Sequence, residues 1–198
     1  MGVFFLSEKD LVLTTYKETA PIILVTIVAE IWVGVFLIGI EDFYELLPGL
    51  FIIVPGLMEA RGNISGALGQ RLGSAIHLGI VSWEDKFNED VRENVKASVS
   101  LGLLMSFSLG VLAFISSILL GFKHMSLLEF ILIAVLTSTL AGVSQVGFTV
   151  FIATYSSHLG LDPDNVTIPA LSVVGDILTI IYLLIVAKFT LSISGWLP

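Results

Sequence analysis

The stretch LDPDNVTIPALSVVGDILTIIYLLIVAKF, residues 161–189, decides how the chain is read. From about Ile168 to Ala187 it is apolar over the roughly 20 residues that a membrane-spanning helix needs. Asp162 is placed to cap the start, with Pro163 at the first helical position. Pro169 then falls inside the helix. It lacks the N–H that would meet the Asn165 carbonyl, so that carbonyl is freed or the helix kinks. Asn165, Pro169, Ser172, Asp176 and Thr179 share one helical face, a line of oxygen groups with one carboxylate. Ionisable groups at that depth are costly and face a bundle interior or a cavity. Asp176 therefore points to a polar path.

The rest of the chain agrees with a lipid setting. Of 198 residues, 56% are hydrophobic and 13% charged, against about 25% charged in a soluble domain; the mean hydropathy is +0.99. Segments Pro21–Ile40, Phe43–Ile80, Val95–Leu120, Leu127–Ser156 and Ile168–Ala187 can each span. The second is overlong and interrupted by Pro48, Pro55 and several glycines. Ahead of the first, Ser7–Glu18 reads as an interfacial helix with Val12, Leu13 and Tyr16 on its apolar side. The expected fold is an all-α integral membrane protein of five transmembrane helices with an N-terminal interfacial helix. It is expected as one domain over residues 1–198, with residues 1–20 interfacial and no soluble regulatory domain.

The short N-terminal apolar stretch Val3–Leu6 is not a secretory signal. The absence of cysteine excludes disulfides and thiolate metal sites. A net charge of −8 argues against nucleic acid and suits attraction of cations. Basic residues set the expected orientation. With the N-terminus inside, Lys9, Lys17, Lys86, Arg92 and Lys96 are cytoplasmic, and only Lys123 and Lys188 are not. The acidic loop Glu41–Glu45 then becomes an outer mouth, the C-terminus is outside, and a cell-membrane location is expected.

The second segment carries PGLMEARGNISGALGQRLGSAIHLG, residues 55–79. As a helix it places Gly62, Gly66, Gly69 and Gly73 on one stripe, which lets backbones approach closely. Beside it runs a polar stripe of Glu59, Asn63, Gln70, Ser74 and His77. Hydrogen bonding to neighbouring helices explains one or two such groups; five on one line favour an aqueous path. Arg61 and Arg71 fall elsewhere on the wheel. Arg61 is expected to pair with Glu59 or to snorkel, and Arg71 to lie toward the inner loop. His77 reads as an end-of-helix residue. Glu30, in the middle of the first span, is open between a second ion or proton site and a hydrogen-bonded structural acid. In the fourth segment Thr137, Ser138, Thr139, Ser144, Gln145 and Thr149 read mostly as packing.

Five helices enclose little polar volume. Two parallel copies about an axis along the membrane normal line a path between them, so a parallel homodimer with a pore on the two-fold axis is expected. Oxygen groups suit hard cations, and magnesium keeps much of its water. Two rivals use other features: a lipid-headgroup enzyme holding a metal at Asp162, Asp164 and His77, and a non-transporting scaffold.

The two polar segments resemble one known family. PGLFIIVPGLMEARGNISGALGQRL (residues 48–72) followed by LDPDNVTIPALSVVGD (residues 161–176) is similar to the membrane domain of the MgtE magnesium transporters. It is closer still to the related eukaryotic solute-carrier magnesium transporters, which carry two such domains. The pattern rests on Pro55, Gly62, Asn63 and Gln70, then on Asp162 to Asn165 and Asp176. The resemblance implies a transporter rather than an enzyme, a homodimer, and an ion path between the second and fifth spans. It implies magnesium as substrate, with manganese, cobalt or calcium as alternatives, and either channel conduction or coupling to sodium or protons. It implies that Asp176 contacts the ion or its water shell with Asn63 nearby; Ser172 and Asn165, on the same face as Asp176, complete the expected metal site. Glu59, Gln70, Thr179 and Glu30 are expected along the path.

Overall fold

The computed structural model describes residues 8–38 and 43–194. The regular elements of the described residues are all helices, in the order α1 (Glu8–Ile38), α2 (Phe43–Leu46), α3 (Leu50–His77), α4 (Glu89–Leu119), α5 (Leu127–His158) and α6 (Pro163–Ser194). Glu41 and Asp42 of the expected acidic mouth lie outside the described residues.

Among the described residues, four helical stretches are long and apolar enough to cross a membrane: Thr19–Ile38 of α1, then α4, α5 and Pro163–Ile193 of α6. The 28-residue α3 is not among them. Its length suffices, but Glu59, Arg61 and Arg71 lower its hydropathy. It is nonetheless packed against α4, α5 and α6 at once, which is where a helix with a costly polar face belongs.

The separate interfacial helix expected before the first span is not there. α1 runs unbroken through Pro21 for 31 residues. Proline removes one backbone hydrogen bond and bends a helix, but the turns on both sides are otherwise intact. Val12, Leu13 and Tyr16 are exposed along this extension. The overlong second segment, by contrast, divides where glycine allows it. Gly49 adopts a positive φ of 90° between α2 and α3, and a Cβ there would meet Phe130 Cζ at 2.8 Å.

Helix ends follow local side-chain chemistry. Ser126 and Glu129 form a reciprocal capping box that starts α5. The Asn88 side chain accepts from the Val91 amide at the start of α4. Asp162 accepts from the Asp164 amide at 3.0 Å, so Asp162 caps α6 and Pro163 opens it. α6 continues through Pro169 to Ser194. A 32-residue helix is about 48 Å long, more than the roughly 30 Å of hydrocarbon, so its polar first turn projects beyond the apolar layer or the helix tilts.

The core forms two apolar clusters. One joins Leu50, Ile53 and Leu57 of α3 to Phe130 and Ile133 of α5 and to Leu183 and Ala187 of α6. The other joins Leu68 and Leu72 of α3 to Val146, Val150 and Ala153 of α5. Where α4 meets α5, the approach is too close for a side chain: a Cβ on Gly110 would stand 2.8 Å from the Ile131 Cα. At the α3–α4 loop, Trp83 packs against Phe151, Tyr155 and His158, and the Lys86 ammonium sits 3.6 Å over its ring. Such a cluster is typical of a membrane–water boundary.

Candidate functional site

Between the two apolar clusters lies a polar layer that draws on four helices. Arg61 of α3 is buried, at 4% exposure. One arm of its guanidinium donates to the Asp176 carboxylate on α6 and the other to the Gln145 side-chain oxygen on α5. Gln145 is fully buried, and its amide nitrogen donates to the Leu171 carbonyl at 2.9 Å. Glu30 of α1 contacts Asp176 and lies near Arg61, so the layer holds two carboxyl groups and one guanidinium. Among the described residues the Glu30 Oε1 atom is buried with no hydrogen-bond partner, as is Arg61 Nε.

Backbone shape makes this layer possible. Gly175 immediately precedes Asp176, and a Cβ on it would run into Arg61 Nη1 and Gln145 Nε2. The guanidinium thus lies where any other residue would place its first side-chain atom. Thr179, one turn beyond, is buried and donates to the Gly175 carbonyl at 2.9 Å.

Arg61 therefore neither pairs with Glu59 nor snorkels, the two outcomes expected for it. Glu59 instead accepts from Asn63 at 3.0 Å, one turn along the same helix. Arg71 donates to Ser98 on α4 at 3.3 Å. The glycine stripe divides in two. Gly69 and Gly73 are buried against the start of α6, where added Cβ atoms would meet Thr167 and Asp164; Gly62 and Gly66 have nothing within 4 Å.

The polar stripe of α3 lies on the outside of the single chain. Glu59, Asn63, Gln70, Ser74 and His77 are all exposed, and Ser172 of α6 is exposed as well. Asn165 is part-buried in the first turn of α6. Of the residues expected at the metal site, Asp176 lies at the polar layer, Asn63 and Ser172 on the exposed face, and Asn165 nearer the helix start. At the end of α3, the His77 Nε2 atom is 3.5 Å from Asp162 and 3.6 Å from Asp164. Those three groups, which the sequence scatters over helix faces and loops, meet at an exposed corner.

Residues 54–186 match the MgtE family, described as a divalent cation transporter. The chain belongs to the MgtE family. It is a family of transporters, which leaves the lipid-headgroup enzyme without support. Relatives of this MgtE chain include Solute carrier family 41 member 2 of Gallus gallus, 30% identical over 146 residues. The Homo sapiens protein of that name is 29% identical over 154 residues. Each match covers 70% of this chain and 25% of the relative. Solute carrier family 41 member 3 of Rattus norvegicus is 23% identical over 186 residues, covering 90% of this chain and 39% of the relative. The chain thus spans a quarter to two-fifths of the length of these relatives.

Two members of the polar layer were underrated in the sequence. Gln145 reads as one of six polar packing residues, and Arg61 as a neighbour of Glu59. The signal was present: each intramembrane charge needs an opposite charge, and the chain has one buried arginine for its one mid-helix aspartate.

Proposed function

We propose that this MgtE chain carries divalent cations, with magnesium as substrate, along a path between α3 and α6 that two parallel copies complete. The observation that carries the reading is Asp176: a carboxylate in the middle of an apolar helix, paired with the Arg61 guanidinium and in contact with a second carboxyl from Glu30. With both acids ionised the layer holds one negative charge in excess. Burial in lipid makes such a site hold a cation or a proton.

The exposed stripe of α3 supports the dimer. Five polar side chains facing hydrocarbon are costly, and Ser172 continues that face onto α6. A second copy laid against it covers the stripe and leaves polar groups on both walls. Asn63, Ser172, Glu59 and Gln70 then meet the water shell of the ion, and Asp176 meets the ion or its water. Asn165 and Thr179 supply oxygen ligands farther along α6. A cell-membrane location with the N-terminus inside puts His77, Asp162 and Asp164 at the cytoplasmic end.

Coupling to sodium or protons is the second reading of mechanism, and Glu30 favours it. A simple conduit needs one carboxylate per subunit, whereas a second one beside it gives a coupling ion its own place. Flux into liposomes under separately imposed magnesium, sodium, proton and voltage gradients tests both. Uptake that follows the magnesium gradient and voltage alone removes the exchanger. Uptake driven uphill by sodium or protons removes the channel. Thermal stabilisation of the purified protein by magnesium, lost in Asp176→Asn, separates a transporter from a scaffold.

A further inference from the structure

Asp176 already has a cation, and it belongs to the protein. Arg61 reaches it from α3 and is held on the far side by Gln145. The pair is not sealed into a fully satisfied network. Arg61 Nε is buried without a partner among the described residues, and Asp176 keeps 17% of its side-chain surface exposed. On the side of Arg61 facing α4 and α5 is a small cavity of about 30 Å³, where Ser65, Ser98, Ser138 and Thr139 sit among apolar residues such as Ile64 and Val99. That is room for one or two waters. Ser65 donates its proton to the Arg61 carbonyl and Thr139 donates to the Val135 carbonyl. Their oxygen lone pairs are left to accept from a cationic donor.

We propose that Arg61 is a tethered counter-cation that the transported ion displaces from Asp176. The inference rests on Asp176 being the ion site. A guanidinium and a divalent ion cannot share one carboxylate at low dielectric without strong mutual repulsion. Occupancy is therefore exclusive. With no ion present, Arg61 neutralises Asp176 and the carboxylate is not left bare. When the ion arrives, the guanidinium withdraws toward the small cavity, keeps its bond to Gln145, and takes its charge away from the path. Arg61 thereby sets two properties: the affinity, because the ion must outcompete it, and the charge of the empty carrier, because Asp176 never returns unpaired. Gly175 gives the guanidinium its place, and Gln145 keeps it within reach of both positions.

The test is magnesium binding followed by thermal stabilisation of the purified full chain, comparing wild type, Arg61→Gln and Asp176→Asn. A competing tethered group raises the apparent dissociation constant by the reciprocal of the fraction of sites it leaves free. If Arg61 holds Asp176 in most of the empty molecules, Arg61→Gln lowers the half-saturating magnesium concentration about tenfold or more. The variant is also less stable than wild type in chelator and gains more from magnesium. An unchanged or weaker magnesium affinity in Arg61→Gln, with binding still lost in Asp176→Asn, overturns the counter-cation and leaves the ion site standing. Binding unchanged in Asp176→Asn overturns the ion site itself. Should Arg61→Gln fail to fold, wild type decides the matter. The chain has only three arginines, Arg61, Arg71 and Arg92. Selective ¹⁵N-arginine labelling with Arg71→Lys and Arg92→Lys assigns the Arg61 Nε–H resonance. Saturating magnesium is expected to shift it in wild type and leave it unmoved in Asp176→Asn. A resonance that stays fixed while magnesium stabilises the protein overturns the proposal.

Discussion

The Arg61 guanidinium on α3 and the Asp176 carboxylate on α6 are 115 residues apart in sequence and bonded in space. Their contact joins the two segments that carry the polar character of the chain, and Gln145 anchors it to a third helix. The account of function turns on this layer, because a carboxylate so placed must be neutralised by something.

Gly175 is the first point at which to disturb it. A methyl group there meets Arg61 Nη1 and Gln145 Nε2, so Gly175→Ala pushes the guanidinium off its position. Overpacking of this kind costs about 1–3 kcal/mol. Thermal unfolding in detergent or lipid should show the loss, together with reduced magnesium flux. An unshifted transition would mean that the layer adapts to a side chain without cost.

Gln145 offers a change of charge at nearly constant shape. Gln145→Glu gives Arg61 a second carboxylate on the side away from the path and removes the donor to the Leu171 carbonyl. Hydrogen bonds to charged groups contribute about 1.5–3 kcal/mol. Gln145→Leu, which removes the partner of one guanidinium arm, should destabilise the protein by about that much. Gln145→Glu should instead retain the fold and alter the magnesium dependence of flux. Chemical or thermal melts beside liposome uptake check the pair, and equal stability of Gln145→Leu and wild type would contradict the assigned role.

The glycines of α3 separate packing within one chain from packing between copies. Gly110, by comparison, faces the Ile131 backbone on α5 at 2.8 Å, which no rotamer change can relieve. Gly110→Ala should therefore cost about 1–3 kcal/mol whatever the assembly. Gly62 and Gly66 meet nothing within 4 Å in the single chain. Replacing them with valine should leave helix content and intra-chain packing intact and shift a cross-linked or mass-measured dimer toward monomer. A dimer unaffected by both changes would place the contact elsewhere.

Much of the fold could be read from composition, because long apolar runs leave helices as the chain's only way to satisfy its backbone in lipid. Asp162 and Pro163 marked a helix start for local reasons that the chain carries within a few residues. The first span, expected to start at Pro21, instead continues a helix that begins at Glu8, because the turns on either side of the proline keep their bonds. The exposed stripe from Glu59 to His77 could be drawn on a wheel, since period alone places those residues together. Arg61 could not be assigned that way. A wheel gives the direction of a side chain and not its neighbour, and the partner of Arg61 lies on a helix fixed only by how α3, α5 and α6 pack. Gly175 was equally silent, because its meaning is the guanidinium that occupies the space beside it.

Asn63 and Glu59 test the exposed face. They bond to each other at 3.0 Å on the outside of α3, so Asn63→Ala should change single-chain stability by no more than about 0.5 kcal/mol. Its effect should fall on transport, through the lost amide beside the ion's water shell. Magnesium uptake unaltered in Asn63→Ala would remove that side chain from the path.

The central claim is that Asp176 binds the transported ion, and one measurement reaches it directly: magnesium uptake into liposomes by wild type and Asp176→Asn at matched protein incorporation. The asparagine keeps the size of the side chain and removes its charge. Uptake that falls to the level of empty liposomes, with the variant still folded, is the predicted result; uptake equal to wild type would contradict it.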